Sequence, residues 1–299
     1  MRVLVAGAGG ALGRLVLHEL EGRGHAVRAV VRRATPAAAM QSGARDVRVL
    51  DALKDGAWRG VCDGIDVVVS TLGASVNPSP LVGRRPYTRV DAPANIALLD
   101  EARRSGVRRF VYVSLVGGAA SRSLNYSEGH ERVVDALRAS GVPGTVLRPT
   151  GFFCAMAALI EFARRGFVPV IGDGACRTNP IDERDVASAA AAAAESAEPG
   201  FTEVELGGPE VFTRRRIAEL AFESLGKRPR LLPVPRWFAQ CGGVSLLPLN
   251  SRAAHFTLFA AHIMTHDCLA PHVGSRCLRD YFRAHVAARA KARGDRSTG

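Results

Sequence analysis

The feature that most constrains this chain is Gly7-Ala8-Gly9-Gly10-Ala11-Leu12-Gly13, which follows directly on the short apolar run 2–6. A helical pattern opens inside it, with apolar residues at Leu12, Leu15, Val16 and Leu20 and a stop at Gly22 and Gly24. A second β-rich run, 26–31, comes next, so the segment reads strand, turn, helix, strand. Only glycine lets a backbone turn this sharply and approach a pyrophosphate with no side chain in the way. The helix start beyond it offers unpaired N–H groups and a partial positive charge. Gly7, Gly10 and Gly13 satisfy G-x-x-G-x-x-G; the alternative G-x-G-x-x-G fails at Leu12. The turn predicts a dinucleotide site, against the alternative of a glycine-rich turn with no ligand.

The alternation continues along the chain. Residues 46–50 and 65–70 read as strands, the second apolar throughout as in a strand buried on both faces. A helix over 91–105, a strand over 110–114, a helix over 128–140 and a strand over 145–147, stopped by Arg148-Pro149, follow. Strands alternating with helices predict an α/β fold, a Rossmann-type doubly wound parallel sheet. After Pro149 the rhythm changes: a helix over 152–165, an extended 168–171, an Ala-rich helix over 182–196 with acidic residues in its first turn, and a return to the sheet at 202–206. Beyond Pro209 helices alternate with Pro-rich connectors such as Leu231-Leu-Pro-Val-Pro, and Thr213 is placed as an N-cap. The expected organisation is a nucleotide-binding core over 1–150 with 179–206 folding back onto it. A smaller, mainly helical lobe would comprise 151–178 and 207–290, and 291–299 would be a disordered tail.

Composition sets limits. At 299 residues and 47% hydrophobic the chain is long enough for a sizeable core and is unlike a disordered or fibrous sequence. The formal charge of +12 invites a nucleic-acid partner, yet only Lys54, Lys227 and Lys291 of the 40 basic residues are lysines. The excess is also spread: 21 basic against 13 acidic residues over 1–150, and 19 against 15 over 151–299. With no basic arm or aromatic-interleaved patch, no nucleic-acid partner is expected. The six cysteines show no C-x-x-C and no zinc-ligand rhythm, which predicts free thiols in a reducing compartment and no metal. The glycines interrupt the first apolar run too early for a signal peptide, and no stretch reaches the length of a membrane span. A cytoplasmic protein with no membrane partner is the expectation.

Cofactor choice is read at the end of the second strand. An acid there would bond a ribose 2′-hydroxyl and repel a 2′-phosphate; the chain instead has Val30-Val31-Arg32-Arg33. A guanidinium pair suits a phosphate by charge and by its forked donors, so NADP(H) is expected, with solvent-facing arginines as the alternative.

These residues, with Ser70-Thr71-Leu72-Gly73, Val111-Tyr112-Val113-Ser114, Ala139-Ser140-Gly141-Val142, Thr145 to Thr150 and Asn179-Pro180-Ile181 to Asp185-Val186-Ala187, resemble an atypical short-chain dehydrogenase/reductase. The nearest group holds the NmrA-like proteins, isoflavone-type reductases and divinyl-chlorophyllide-type vinyl reductases, and the resemblance spans about residues 1–225. It implies that Gly7, Gly10, Ala11 and Leu12 hold the pyrophosphate, with Gly13 closing the motif, and that Arg32 and Arg33 meet the 2′-phosphate. It further implies Asp51 and Ala52 at the adenine, Thr71, Leu72 and Gly73 along the ribose, and Pro149 and Thr150 beside the nicotinamide.

The same resemblance implies a proton-donating Tyr, a Lys four residues later and a Ser at the strand end. Tyr126 and His130 have that i, i+4 spacing, which puts both on one helix face, and Ser114 ends the preceding strand. His130 stands where the family has Lys. Lys is a fixed cation, whereas His has an ordinary pKa near 6.5 and is mostly neutral at pH 7. The proton donor would be Tyr126, His130 or water; the alternative is an ordinary tyrosine near a loop and a surface histidine. Glu131 would partner His130 or serve as a helix-start charge. His255, His262, His266 and His272 lack the tight spacing of a metal site. Among the aromatic residues of the later part, Phe152 and Phe153 are expected at a substrate pocket, and Trp237, Phe238, Phe256 and Phe259 in packing.

Two functions compete at this point. One is an NADPH-dependent reductase of a small, mostly apolar carbonyl or conjugated alkene. The other is an NADP(H)-binding sensor of the NmrA type that regulates a partner without turnover. Oligomeric state is left open.

Overall fold

The computed structural model describes residues 1–32, 46–73 and 85–294. Its strands in chain order are β1 (Arg2–Ala6), β2 (Ala26–Val31), β3 (Asp46–Val49), β4 (Val67–Ser70), β5 (Arg109–Val113), β6 (Gly144–Pro149), β7 (Val168–Ile171), β8 (Arg177–Thr178), β9 (Phe201–Leu206), β10 (Phe212–Thr213) and β11 (Leu231–Val234). Seven of them form one sheet in the order β3-β2-β1-β4-β5-β6-β9, and every adjacent pair is parallel. This is the doubly wound parallel sheet that the sequence predicts. The order reverses between β1 and β4, the place where such sheets open a crevice at their carboxyl edge.

The apolar runs explain the layering. Alternate residues of a strand face opposite ways, so Val3 and Val5 enter one core while Leu4 and Ala6 enter the other. The first core lies under the helices Ala11–Gly22 and Glu183–Glu195, the second under Asp91–Arg104 and Asn125–Ala139. Each buried Val or Leu contributes about 1.5–3 kcal/mol relative to exposure. The 182–196 prediction resolves into a helix N-capped by Asp182, which accepts from the Arg184 N–H at 2.8 Å. Arg23 and His25 hold its far end through Glu195 at 2.8 Å each.

A third core, with Phe153, Ile160, Ile217, Phe222, Leu278 and Phe282, lies among helices of the later part. Thr213 caps the helix Arg214–Glu223 by accepting from Arg216 N–H at 3.1 Å. Three local expectations are revised. Leu231-Leu-Pro-Val is not a connector but β11, which pairs in parallel with β7. The sheet strand is not stopped at Arg148-Pro149: β6 runs through Pro149, because β9 continues beside it to Leu206 and Thr150 N–H donates to Leu206 C=O at 3.0 Å. The helix Leu278–Gly294 extends past 291, where a disordered tail is expected; Leu278 and Phe282 anchor it in the lobe core and Arg289 pairs with Glu161. No helix among the described residues is long and apolar enough to cross a membrane.

Candidate active site at the carboxyl edge of the sheet

Because all seven strands run in parallel, their carboxyl ends share one edge, and the sequence-predicted positions collect there. Gly7 follows β1, Arg32 follows β2, Asp51 and Ala52 follow β3, and Thr71, Leu72 and Gly73 follow β4. Ser114 follows β5; Pro149 ends β6 and Thr150 follows it. Arg33 lies outside the described residues.

The glycine turn has the shape that a pyrophosphate requires. Gly7 sits at φ +82°, and a Cβ there would lie 3.0 Å from the Thr71 carbonyl oxygen. Ala6 C=O takes hydrogen bonds from both the N–H and the Oγ1 of Thr71, each 3.0 Å, which draws β4's exit against the turn. At Gly13 a Cβ would meet Gly7 O at 2.2 Å, so the helix can approach the turn only without a side chain. Gly10 is the N-cap, no side chain caps the helix, and its first turn holds no acidic residue. The leading N–H groups of the helix are thus left to a ligand, at the positive end of its macrodipole. Residues and geometry fit the diphosphate of a dinucleotide.

The neighbouring loop is pinned by a residue that sequence reasoning passed over. Asn95, fully buried, accepts from Ser70 Oγ at 2.5 Å and donates to Leu72 C=O at 3.1 Å. It is a polar residue inside the apolar periodicity of a helix, the only sequence sign of its role. Asp51 is exposed and turns the backbone by accepting from Leu53 N–H at 3.1 Å; Ala52 C=O accepts from Trp58 Nε1 at 3.3 Å. Arg32 is exposed at the edge.

The helix Asn125–Ala139 begins a turn earlier than the sequence predicts, so Tyr126 lies in its first turn. Tyr126 is half-buried, with ring centroids 4.8 Å from Tyr87, 4.9 Å from His130 and 4.4 Å from Phe259. Burial, then the Asp91 and Tyr87 charges, hold its phenol above the ordinary range. His130 is no surface residue. It is buried, its Nδ1 is 2.7 Å from the Tyr112 hydroxyl, and burial followed by the Arg148 charge pushes its pKa down to about 4. It is therefore a neutral imidazole at physiological pH. Ser114 lies two residues past Tyr112; its buried Oγ has no hydrogen-bond partner among the described residues.

Glu131 does not partner His130. It pairs with Arg148 through two contacts of 2.6 and 3.1 Å, both side chains buried, and Arg148 Nε also reaches Glu203 at 2.5 Å. Gly118 admits this pair, since a Cβ there would collide with Glu131. Arg148 further donates to Leu115 C=O at 3.0 Å, tying the loop after Ser114 to β6. Thr150 Oγ1 donates to Asn179 C=O at 2.6 Å, and the Asn179 side chain bonds Ala270 and Gly208. Asp185, from the motif that Asn179 opens, pairs with Arg276. Phe152 is half-buried at the mouth of β6, with its backbone bridged to Ile181. Phe153 departs from the pocket expectation: it is buried in the lobe core, its ring 5.4 Å from Tyr281. Trp237 and Phe238 depart from the packing expectation, being 64% and 61% exposed.

His262 stacks on His266 at 4.0 Å, and Asp267 pairs with Arg177 at 2.9 Å. Among the described residues no group of three or more His, Cys, Asp or Glu is placed to hold a metal ion. All six cysteines are free.

A glycine turn at the switch point, with an uncapped helix aimed across the carboxyl edge, defines a dinucleotide-binding protein of the Rossmann class. Residues 7–197 match the family model described as NAD(P)H-binding, and the chain belongs to that family. It is 29% identical over 258 residues to divinyl chlorophyllide a 8-vinyl-reductase of Zea mays, a match that covers 78% of this chain and 61% of that protein. The match to the Cucumis sativus protein of the same name covers 59% of its length, so the chain spans about six-tenths of these curated relatives. Among solved structures, an NADPH-dependent quinone oxidoreductase of Escherichia coli complexed with NADPH superposes with a TM-score of 0.72 at 22% identity, covering 96% of this chain and 99% of that one. A triphenylmethane reductase of Citrobacter sp. gives 0.75 at 19%, covering 95% and 99%. At those identities the two structures show the fold.

Proposed function

We propose that the chain is a reductase that prefers NADPH and acts on a small, mostly apolar carbonyl or conjugated alkene. The observation that carries this reading is the side-chain-free diphosphate turn at the carboxyl edge, where the partnerless Ser114 hydroxyl also follows a strand, taken with the half-buried Tyr126 phenol stacked against His130 on the helix Asn125–Ala139. The relatives and neighbours named above, reductases of a vinyl group, quinones and triphenylmethane dyes, support it by analogy.

When bound, a reduced nicotinamide supplies a hydride; the chain supplies position and a proton. Gly7, Gly10, Ala11, Leu12 and Gly13 would hold the diphosphate, and Arg32, with Arg33, the 2′-phosphate. Asp51 and Ala52 would meet the adenine, Thr71 to Gly73 the ribose, and Pro149 and Thr150 the nicotinamide. Tyr126 keeps its phenolic proton and would give it to the substrate atom that gains negative charge, while Ser114 Oγ orients that atom. His130 has no such proton to give near neutral pH, since its imidazole is neutral and held by Tyr112. Its part is to buttress Tyr126 from the core side. Phe152 would present the apolar wall.

The second reading, a sensor that binds NADP(H) without turnover, is favoured by that same histidine, since no fixed cation stands at its position. NADPH consumption against a panel of quinones, enones and ketones separates the two. Turnover that falls by about 10²-fold or more in Tyr126→Phe, with NADPH affinity unchanged, supports the reductase. Tight NADPH binding with no turnover across the panel supports the sensor. Arg32→Ala should weaken NADPH by roughly tenfold or more and leave NADH unaffected; equal losses for both would refute the 2′-phosphate assignment.

A further inference from the structure

The helix Arg236–Ser245 is only half seated. Its buried contact is Gly243, where a Cβ would meet Leu258 of the helix Ser251–Met264 at 2.9 Å. The rest faces outward: Trp237 is 64% exposed, Phe238 61%, Val244 55%, and Leu249 just beyond the helix 69%. Scattered single apolar residues on a surface need no explanation, but a contiguous run of large ones rimmed by charge marks an interaction face.

The charge around it has one sign. Between Glu223 and Asp267 the sequence contains no acidic residue, while Arg228, Arg230 and Arg236, all exposed, precede the apolar run along the chain. None of these three arginines is in an ion pair among the described residues, although most other exposed arginines among those residues are. The segment therefore presents exposed aromatic and aliphatic side chains preceded along the chain by exposed guanidinium groups that have no ion pair among the described residues.

We propose that this face docks on an anionic phospholipid bilayer, with the helix lying in the interface plane. Ten residues of helix rise about 15 Å, half the hydrocarbon thickness, so the segment lies on a membrane and does not span it. Trp and Phe seat at the headgroup boundary, Leu and Val reach below it, and arginines meet lipid phosphate. A second copy of the chain is the poorer occupant, because a two-fold contact would set the same cations against each other. This departs from the sequence expectation of no membrane partner, which rests on the lack of a stretch long enough to span a bilayer. The helix Ser251–Met264, on which the helix Arg236–Ser245 packs, also supplies Phe259 to Tyr126, so docking would sit one helix from the candidate site. The docking itself does not rest on the reductase reading.

The chain has one other tryptophan, Trp58, which is 4% exposed, so a change in emission on binding reports Trp237. The full chain is sedimented with vesicles of phosphatidylcholine containing 30% phosphatidylglycerol, and with phosphatidylcholine alone. Expected are co-sedimentation with the anionic vesicles, a blue shift of emission, and weakening as salt rises. Arg228→Glu or Arg230→Glu should each lower partitioning by roughly fivefold or more. Trp237→Glu with Phe238→Glu should abolish it, with circular dichroism unchanged because both side chains are exposed. Absence of sedimentation with anionic vesicles, or equal sedimentation of the double variant, overturns the proposal. So does vesicle-free self-association in light scattering that the double variant removes, which would make the face an interface between copies.

Discussion

Gly13→Ala tests the diphosphate turn most directly. The added methyl would lie 2.2 Å from Gly7 O, 2.8 Å from Gly7 C and 2.9 Å from Ala8 Cα, all backbone atoms that no rotamer change can clear. Ordinary contact begins at 3.4 Å, so the turn and the helix start must separate by most of the difference between 2.2 and 3.4 Å. A hydrogen bond to a charged group contributes about 1.5–3 kcal/mol, so displacing one helix N–H from the diphosphate weakens NADPH binding by roughly 10- to 150-fold. The strain itself costs about 1–3 kcal/mol of stability, which lowers Tm by several degrees. Gly9→Ala is the matched control, since its methyl meets Val31 Cγ1 at a comfortable 3.6 Å. Calorimetric titration with NADPH, with thermal unfolding of each apo protein, gives both quantities. If Gly13→Ala binds and melts like the parent, or if Gly9→Ala suffers equally, the steric account of the turn is wrong.

Three further predictions follow from buried polar groups. The His130 pKa of about 4 lies below its ordinary value, so its contribution to stability is complete above about pH 6.5 and is lost as pH falls toward 4, up to about 3 kcal/mol. Urea unfolding at pH 7.5 and 5.0 should show that loss, and His130→Gln should flatten it. Glu131→Gln uncouples a buried ion pair and should cost about 3 kcal/mol or more in denaturant unfolding, because Arg148 stays behind with reduced compensation. Asn95→Ala strands Ser70 Oγ and Leu72 C=O, so a Tm loss accompanied by weaker NADPH binding is expected, whereas a merely structural role would lower Tm alone.

The sheet was legible because β1, β4 and β5 are buried on both faces, which leaves continuous apolar runs between turn signals. The site edge was legible because one glycine motif fixes the end of β1, and parallel order then carries every other strand end to the same side. The lobe was less so. Leu231-Leu-Pro-Val carries a proline that argues against a strand, yet β11 belongs to a two-stranded pair where a missing N–H on the outer side is tolerated. Trp237 and Phe238 read as packing because large aromatics usually are; the absence of acidic residues between Glu223 and Asp267 becomes meaningful only once they are seen exposed. The partners of His130 and Glu131 were illegible for a simpler reason. Tyr112 and Arg148 lie on two different strands, 18 and 17 residues away, and nothing local ties a helix residue to them.

On the proposed reading, those two partners decide what kind of acid the candidate site would hold. The resemblance places a permanent cation beside the tyrosine, which would lower the phenol's pKa and stabilise its anion. Here the nearby fixed cation, Arg148, is matched by Glu131 and Glu203, and its charge serves to keep His130 unprotonated. Burial, Asp91 and Tyr87 push Tyr126 the other way, above the ordinary range. A phenol so placed releases its proton reluctantly. On the proposed reading it suits an acceptor whose developing charge is spread over a conjugated system and needs little early proton transfer, more than an isolated ketone that builds full charge on one oxygen. Conjugated enones and quinones should therefore outpace simple ketones in kcat/KM, and the gap should narrow in His130→Lys, where a cation is restored next to Tyr126.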